Sequence, residues 1–163
     1  MKDIAFIDLE ASGLSPRSWP IEVGWCLVGG APEAILVKPV PDWSLSEWSK
    51  EAEALHGVSC DTLVKKGAEP KLVCERLNAA LAGRAVYSDA PDWDGFWLYR
   101  LFQAAGVKQR FTLSHLGELF RSVPPEKMDA YVSAAEKKTP RKHRAIPDVL
   151  HMRTLYELAA GAG

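Results

Sequence analysis

The sequence predicts an α/β domain: a mixed β-sheet with helices on its faces. Three observations predict it. Three short apolar runs rich in β-formers lie between residues 4 and 40. Helical periodicity takes over from Ser44. Two more strand-like runs then fall among the helices, which is the element order of a layered α/β domain. A chain of 163 residues suits one core, so 1–163 reads as a single domain.

The elements follow in order. Ile4 to Leu9 is a first strand, interrupted by Asp8 and punctuated by Ser12-Gly13. Ile21 to Val28 is a second, ended by Gly29-Gly30, and Ala34 to Val40 a third, ended by Pro41. Two tight connections among them predict an antiparallel meander. Ser46 to Leu55 reads as a helix with a Ser cap, closed by Gly57. Ser59 to Lys66 is a second helix, stopped by Gly67. Pro70 to Leu81 is a third, with Leu72, Val73, Leu77, Ala80 and Leu81 on one side and Gly83 behind it. Arg84 to Ser88 is a strand, and Asp92 to Ala105 a helix ended by Gly106. Phe111 to Leu113 reads as a last short strand, with helices over Ser114 to Arg121 and Pro125 to Lys137. A basic loop, Lys138 to Arg144, precedes a final helix from Ile146 to Ala160. There is no internal repeat and no low-complexity linker.

Apolar residues at 47% and charged residues at 25% are ordinary for a soluble globular protein. A net charge of −1 excludes a molecule that grips polyanions with its whole surface. Attraction for nucleic acid must be local or supplied by bound metal. Cys26, Cys60 and Cys74 are odd in number and widely spaced, fitting neither a disulfide framework nor a zinc knuckle. Cys26 and Cys74 read as small buried hydrophobes. A reducing compartment, and hence a cytoplasmic location, is the expectation. The N-terminus lacks the shape of a signal peptide, and no apolar stretch is long enough for a membrane span.

The chemistry lies in the acids. Asp8 and Glu10 are two apart on the first strand, so they point the same way. The run Ile4-Ala5-Phe6-Ile7 predicts a strand buried on both faces, hence central. Paired carboxylates there repel each other at a cost of several kcal/mol if buried unscreened, and a divalent cation removes that cost. The competing reading makes Asp8 a strand-end cap and Glu10 a solvated surface residue. Asp94 lies in line with Trp97, Leu98, Leu101 and Ala105, so it continues an apolar stripe at the start of its helix. Asp92 lines up with a mixed face and reads as the helix cap or a dipole partner, and Asp89 as a local cap. Asp148 aligns with Met152, Leu155 and Ala159, with Pro147 suiting the first turn. Its competing role is first-turn dipole stabilisation, under about 1 kcal/mol. His143 precedes that helix and has the side chain for a general base near neutral pH. His56, at a helix end, reads as structural.

These residues resemble the DEDDh 3′–5′ exonucleases, the DnaQ-like branch of the RNase H-like superfamily. Asp8-Leu9-Glu10-Ala11-Ser12-Gly13-Leu14 is similar to the family's D-x-E-T-S/T-G-L. Val86-Tyr87-Ser88 to Trp93-Asp94-Gly95-Phe96-Trp97-Leu98 resembles H-N-x-x-F-D-x-x-F-L. His143-Arg144-Ala145-Ile146-Pro147-Asp148 matches H-x-A-x-x-D, and Leu55-His56-Gly57-Val58 looks like the family's His-Gly-Ile segment. Ala11 stands where the family has Thr, and Tyr87-Ser88 where it has His-Asn. The resemblance implies an RNase H-like fold, a five-stranded mixed sheet flanked by helices with the acid pair on its central strand. It implies two Mg²⁺ or Mn²⁺ ions held by Asp8, Glu10, Asp94 and Asp148, with His143 taking a proton from the attacking water. It implies that Ser12, Gly13 and Leu14 contact the terminal nucleotide of a single-stranded DNA or RNA 3′ end.

The loop carrying Lys137, Lys138, Arg141, Lys142 and Arg144 either draws in phosphates or is solvated. Trp25 and Trp97 fit core patterns. Trp19, Trp43 and Trp48 fall near loops and either pack in the core or rim, or stack on bases. Two other function classes stay open: a catalytically silent nucleic-acid- or partner-binding domain of the same fold, and a two-metal phosphohydrolase acting on small nucleotides. Protein partners are not legible.

Overall fold

An apolar strand buries both faces only if it has neighbours on both sides and helices above and below. That is the situation of β1 (Ile4–Ala11). In the computed structural model, which describes residues 3–161, it is joined by β2 (Pro20–Leu27), β3 (Glu33–Leu36), β4 (Ala85–Ser88) and β5 (Leu113–His115). The sheet order is β3-β2-β1-β4-β5. β1 pairs antiparallel with β2 and parallel with β4. β2–β3 is antiparallel and β4–β5 parallel, so the sheet is mixed. The meander prediction holds, although the 12–19 loop makes its first connection longer than a tight hairpin.

Among the described residues six α-helices flank the sheet: α1 (Lys50–His56), α2 (Cys60–Lys66), α3 (Pro70–Leu81), α4 (Pro91–Ala105), α5 (Pro125–Lys138) and α6 (Ala145–Gly161). On one face Ile7, Leu9, Val23 and Trp25 pack with α3 and α4 through Leu77, Leu98 and Leu101. On the other, Phe6 and Cys26 pack with Val149, Met152 and Leu155 of α6. Each large apolar side chain so buried contributes roughly 1.5–3 kcal/mol. Strand alternation puts Phe6, Asp8 and Glu10 on the α6 face. Asp8 and Glu10 therefore sit where α6 begins.

Five expectations change. The third strand stops at Leu36, and Val37 makes only an isolated bridge to Ala68. Pro39 and Pro41 have no N–H to extend the ladder. The helix expected over Ser46 to Leu55 is split into a 3₁₀ turn, Leu45–Glu47, and α1. The break arises because Ser49 stays extended, accepts from the Ala52 N–H as the cap of α1, and donates its own N–H to the Ser12 carbonyl. The last strand lies at Leu113–His115, where β4 supplies the partners. The helix expected over Ser114 to Arg121 is only a 3₁₀ turn, Leu116–Phe120. Phe111 instead turns into the core beside Phe102. Lastly, α4 is capped at Ala90, with Pro91 in its first turn, so Asp92 is a first-turn acid rather than the cap.

The tryptophans of the early loops are packing residues. Trp19 is fully buried, stacks on Trp43 at 5.7 Å and tilts against Trp48 at 5.6 Å. Its indole N–H is satisfied by the Ser44 carbonyl.

Candidate metal centre

β1 outruns its parallel neighbour. Its pairing with β4 ends at Phe6↔Tyr87. The Leu9 N–H, left without a strand partner on that side, donates to Asp94 Oδ1 at 3.3 Å. The Ser88 hydroxyl, at the end of β4, donates to Asp94 Oδ2. Asp94 is thus fixed at the top of the sheet, 2% exposed. Its apolar stripe, Trp97, Leu98 and Leu101, is buried beneath it.

α6 reaches the same spot because β2 carries glycine at one position. Asp8 pairs with Gly24 across β1–β2. A Cβ on Gly24 would lie 2.6 Å from the Ala145 Cβ, so only glycine lets the start of α6 lie this close to the sheet. Glu22, the cross-strand partner of Glu10, fastens the same turn. The Arg144 guanidinium donates to both its oxygens at 2.9 and 2.7 Å, and the Ala145 N–H adds a third bond at 2.9 Å. The Lys142 N–H donates to Asp148 Oδ1 at 3.0 Å. His143, between these two anchors, is exposed and has φ 51°. That left-handed conformation is unfavourable for a residue with a side chain, and the anchors on both sides hold it.

The carboxylates meet in two triads. Ligand-type oxygens of Asp8, Glu10 and Asp148 lie within 4.8 Å of one another, and so do those of Asp8, Asp89 and Asp94. Asp8 belongs to both. Burial pushes the Asp8 carboxyl well above its ordinary range, and the charges of Asp94, Glu10 and Asp148 push it further. Burial, with Asp148 beside it, raises Glu10 to about 8. Asp94 is raised to about 7, again chiefly by burial, against the lowering hydrogen bonds from Ser88 and Leu9. Burial raises Asp148 too, opposed by the Lys142 N–H and by the nearby His143 and Arg141. Asp8 Oδ2 is buried without a hydrogen bond. Packed oxygens that repel one another, one of them orphaned, are a donor set for hard divalent cations, which take carboxylate oxygen and return the missing charge.

The structure therefore brings Asp8, Glu10, Asp94, Asp148 and His143 to one place. Sequence reasoning missed three contributors. Asp89 was read as a local cap, yet it faces Asp8 and Asp94 and is ion-paired to Arg141 at 2.7 Å. Glu22 carried a usable signal, an acid inside the apolar run of β2. Gly24 gave none, since its role depends on a helix more than a hundred residues away. Two of the five loop cations, Arg141 and Arg144, hold the loop to the body rather than standing free.

A cleft of about 340 Å³ opens beside the acids, lined by Glu10, Gly13, Leu14, His56, Trp97 and His143 among others. That volume and its apolar lining suit a small organic ligand of nucleotide size. Leu14 projects into solvent at its rim, 71% exposed. Ser12 is fully buried, and its hydroxyl, N–H and carbonyl are engaged by Trp19 and Ser49. Its role is to shape the loop, leaving Gly13 and Leu14 to face the cleft. His56 is buried, its Nδ1 accepts from the Val58 N–H, and burial lowers its pKa. It packs edge-on against Trp48 and lines the cleft.

The fold has close counterparts among solved structures. Escherichia coli exonuclease I, zinc-bound and in complex with single-stranded DNA, superposes with a TM-score of 0.73 at 14% identity, over 99% of this chain and 41% of that one. An exonuclease I structure without ligand gives 0.71 at 16%, over 99% and 42%. A moderately thermophilic exonuclease I from Methylocaldum szegediense gives 0.69 at 17%, over 96% and 40%. The chain thus spans about two fifths of the exonuclease I chains it matches. No family model matches the chain, and no curated protein matches it in sequence. The architecture is the RNase H-like exonuclease fold, a five-stranded mixed sheet flanked by helices.

Proposed function

We propose that the protein is a DEDDh-type, metal-dependent 3′–5′ exonuclease acting on single-stranded nucleic acid. The observation that carries this reading is the pair of carboxylate triads sharing Asp8, one of which meets a nucleotide-sized cleft through Glu10. The fold shared with exonuclease I supports it, and single-stranded DNA is the first substrate to test.

Asp8, Glu10 and Asp148 would hold one divalent cation, and Asp8 with Asp94 the other, Mg²⁺ or Mn²⁺ by the hardness of the donors. When bound, the two ions supply dense positive charge at the scissile phosphate and the leaving 3′ oxygen. The protein does the rest. Leu14 and Gly13 receive the terminal nucleotide, with Trp97 behind them. Glu10 and His143 stand where the cleft meets the acids, so the phosphodiester is presented at their edge. His143, exposed at that edge, takes a proton from the attacking water. Leu9 and Ser88 hold both oxygens of Asp94 and so fix the orientation of its carboxylate. The pinned loop keeps His143 in register with Asp148.

The test is a 5′-labelled single strand with Mn²⁺, with and without chelator, beside Asp8→Asn. Matched DNA and RNA oligomers run together separate the two sugars. Stepwise, chelator-sensitive shortening from the 3′ end, lost in Asp8→Asn, is the expected result. No shortening of either polymer sinks the nuclease reading, and cleavage confined to mononucleotides replaces it with a small-nucleotide phosphohydrolase.

A further inference from the structure

Asp89 and Arg141 are not among the residues named above as holding either ion. Asp89 leaves the end of β4, partly buried, and its carboxylate belongs to two charge systems at once. On one side Asp89 Oδ2 is 2.7 Å from an Arg141 guanidinium nitrogen. On the other, an Asp89 oxygen lies within 4.8 Å of ligand-type oxygens of Asp8 and Asp94. Asp8, a member of this group, is only 8% exposed, and its Oδ2 is buried with no hydrogen-bond partner among the described residues.

We propose that Asp89 is a fifth carboxylate of the centre, neutralised by Arg141 until a divalent cation at the Asp8–Asp89–Asp94 triad takes its place. The inference rests on the metallonuclease reading. Three carboxylates this close repel, and one guanidinium balances only one of them. A divalent cation supplies twice the charge and binds oxygen directly. The Arg141–Asp89 pair is half-exposed, with side chains 44% and 24% accessible, so it is weak enough to be displaced. The Asp8–Glu10–Asp148 triad differs. Among the described residues no arginine or lysine is ion-paired to Glu10 or Asp148, and Asp148 accepts only a backbone N–H. The two triads therefore load in order. The first ion enters beside Glu10, and the second must compete with Arg141. Because Arg141 lies on the loop of His143, loading the second ion also releases one tether of that loop.

The test is a calorimetric titration of the full, chelator-stripped chain with Mn²⁺ alone, with bound Mn²⁺ counted by electron paramagnetic resonance. Wild type is expected to bind two ions of unequal affinity. Asp89→Asn is expected to weaken the second by about tenfold or more and leave the first unchanged. Arg141→Gln is expected to tighten the second several-fold, and it decides the matter alone if Asp89→Asn does not fold. Identical Mn²⁺ isotherms for wild type and both variants overturn the proposal, as does weaker binding in Arg141→Gln. If wild type still shortens oligonucleotides with Mn²⁺ in that case, the nuclease reading survives while this one falls. If wild type binds no Mn²⁺, both fall.

Discussion

The two carboxylate triads share Asp8 but compensate their charge differently. The Asp8–Glu10–Asp148 triad is built on a strand and the start of α6, and opens onto the cleft. No arginine or lysine among the described residues is ion-paired to Glu10 or Asp148, and burial with mutual repulsion raises the pKa of both. The Asp8–Asp89–Asp94 triad lies over the end of β4, and it brings its own partners: Ser88, the Leu9 N–H and Arg141. One triad is held open for a ligand, and the other is already partly satisfied by the protein. The same number of acids, on the same strand end, thus yields one site poised for an ion and one guarded by a counter-charge.

The most severe way to break the comparison is Asp8→Asn, which removes the negative charge common to both triads. Exonuclease activity is expected to fall on the order of a thousandfold, the weight of several kcal/mol of lost charge stabilisation. Activity near wild type would mean that the triads are not the reaction centre. His143→Ala leaves both triads intact and removes only the base. A loss of about a hundredfold is expected, with Mn²⁺ affinity unchanged. Unchanged turnover near neutral pH would rule out the base assignment.

Gly24→Ala separates the triads by structure. The added Cβ meets Ala145 and pushes the start of α6 from the sheet, so only the Asp148 side is disturbed. Overpacking of this kind costs roughly 1–3 kcal/mol, read as a lower Tm. Mn²⁺ is expected to stabilise this variant less than wild type.

The gentlest probe is pH. A carboxyl that holds its proton more tightly folded than unfolded favours the fold most at low pH. That advantage is lost as pH rises through the folded pKa. For Glu10 the window runs from its ordinary 4.5 to about 8, and for Asp94 from 3.8 to about 7. In chelator, Tm is expected to fall as pH rises through this range. Saturating Mn²⁺ holds the acids ionised and is expected to abolish or reverse the slope. A Tm that rises with pH in chelator would contradict the buried-acid account.

The acid constellation was legible to the extent that local periodicity carries it. Asp8 and Glu10 alternate with apolar residues on one strand, while Asp94 and Asp148 each prolong an apolar helical stripe. The burial of Asp8 and Asp94 and the partial burial of Glu10 and Asp148 follow from the neighbours in sequence. Asp89 could not be separated from Asp92 this way, because both stand in the same short stretch before and inside α4. What distinguishes Asp89 is Arg141, fifty-two positions on, and only folding joins them. Ser12 shows a second limit: its motif position implies substrate contact, while the closing of the loop by its hydroxyl on the Trp19 N–H is visible only in the fold. The last strand slipped because Phe111 has a strand-former's side chain but no pairing partner, whereas Leu113 meets Val86.

The sequence by itself determined the layer architecture, the central buried strand and which acids would be forced inward. Those are set by the periods of helix and strand, which repeat within a few residues. The tertiary structure alone decided how the acids divide. That Asp8 is shared, that Gly24 admits α6, that Glu22 and Arg144 clamp the loop of His143, and that Arg141 covers Asp89 all depend on contacts between distant segments. Charge at such a site is balanced over a few ångströms in space, and the sequence orders residues only along the chain.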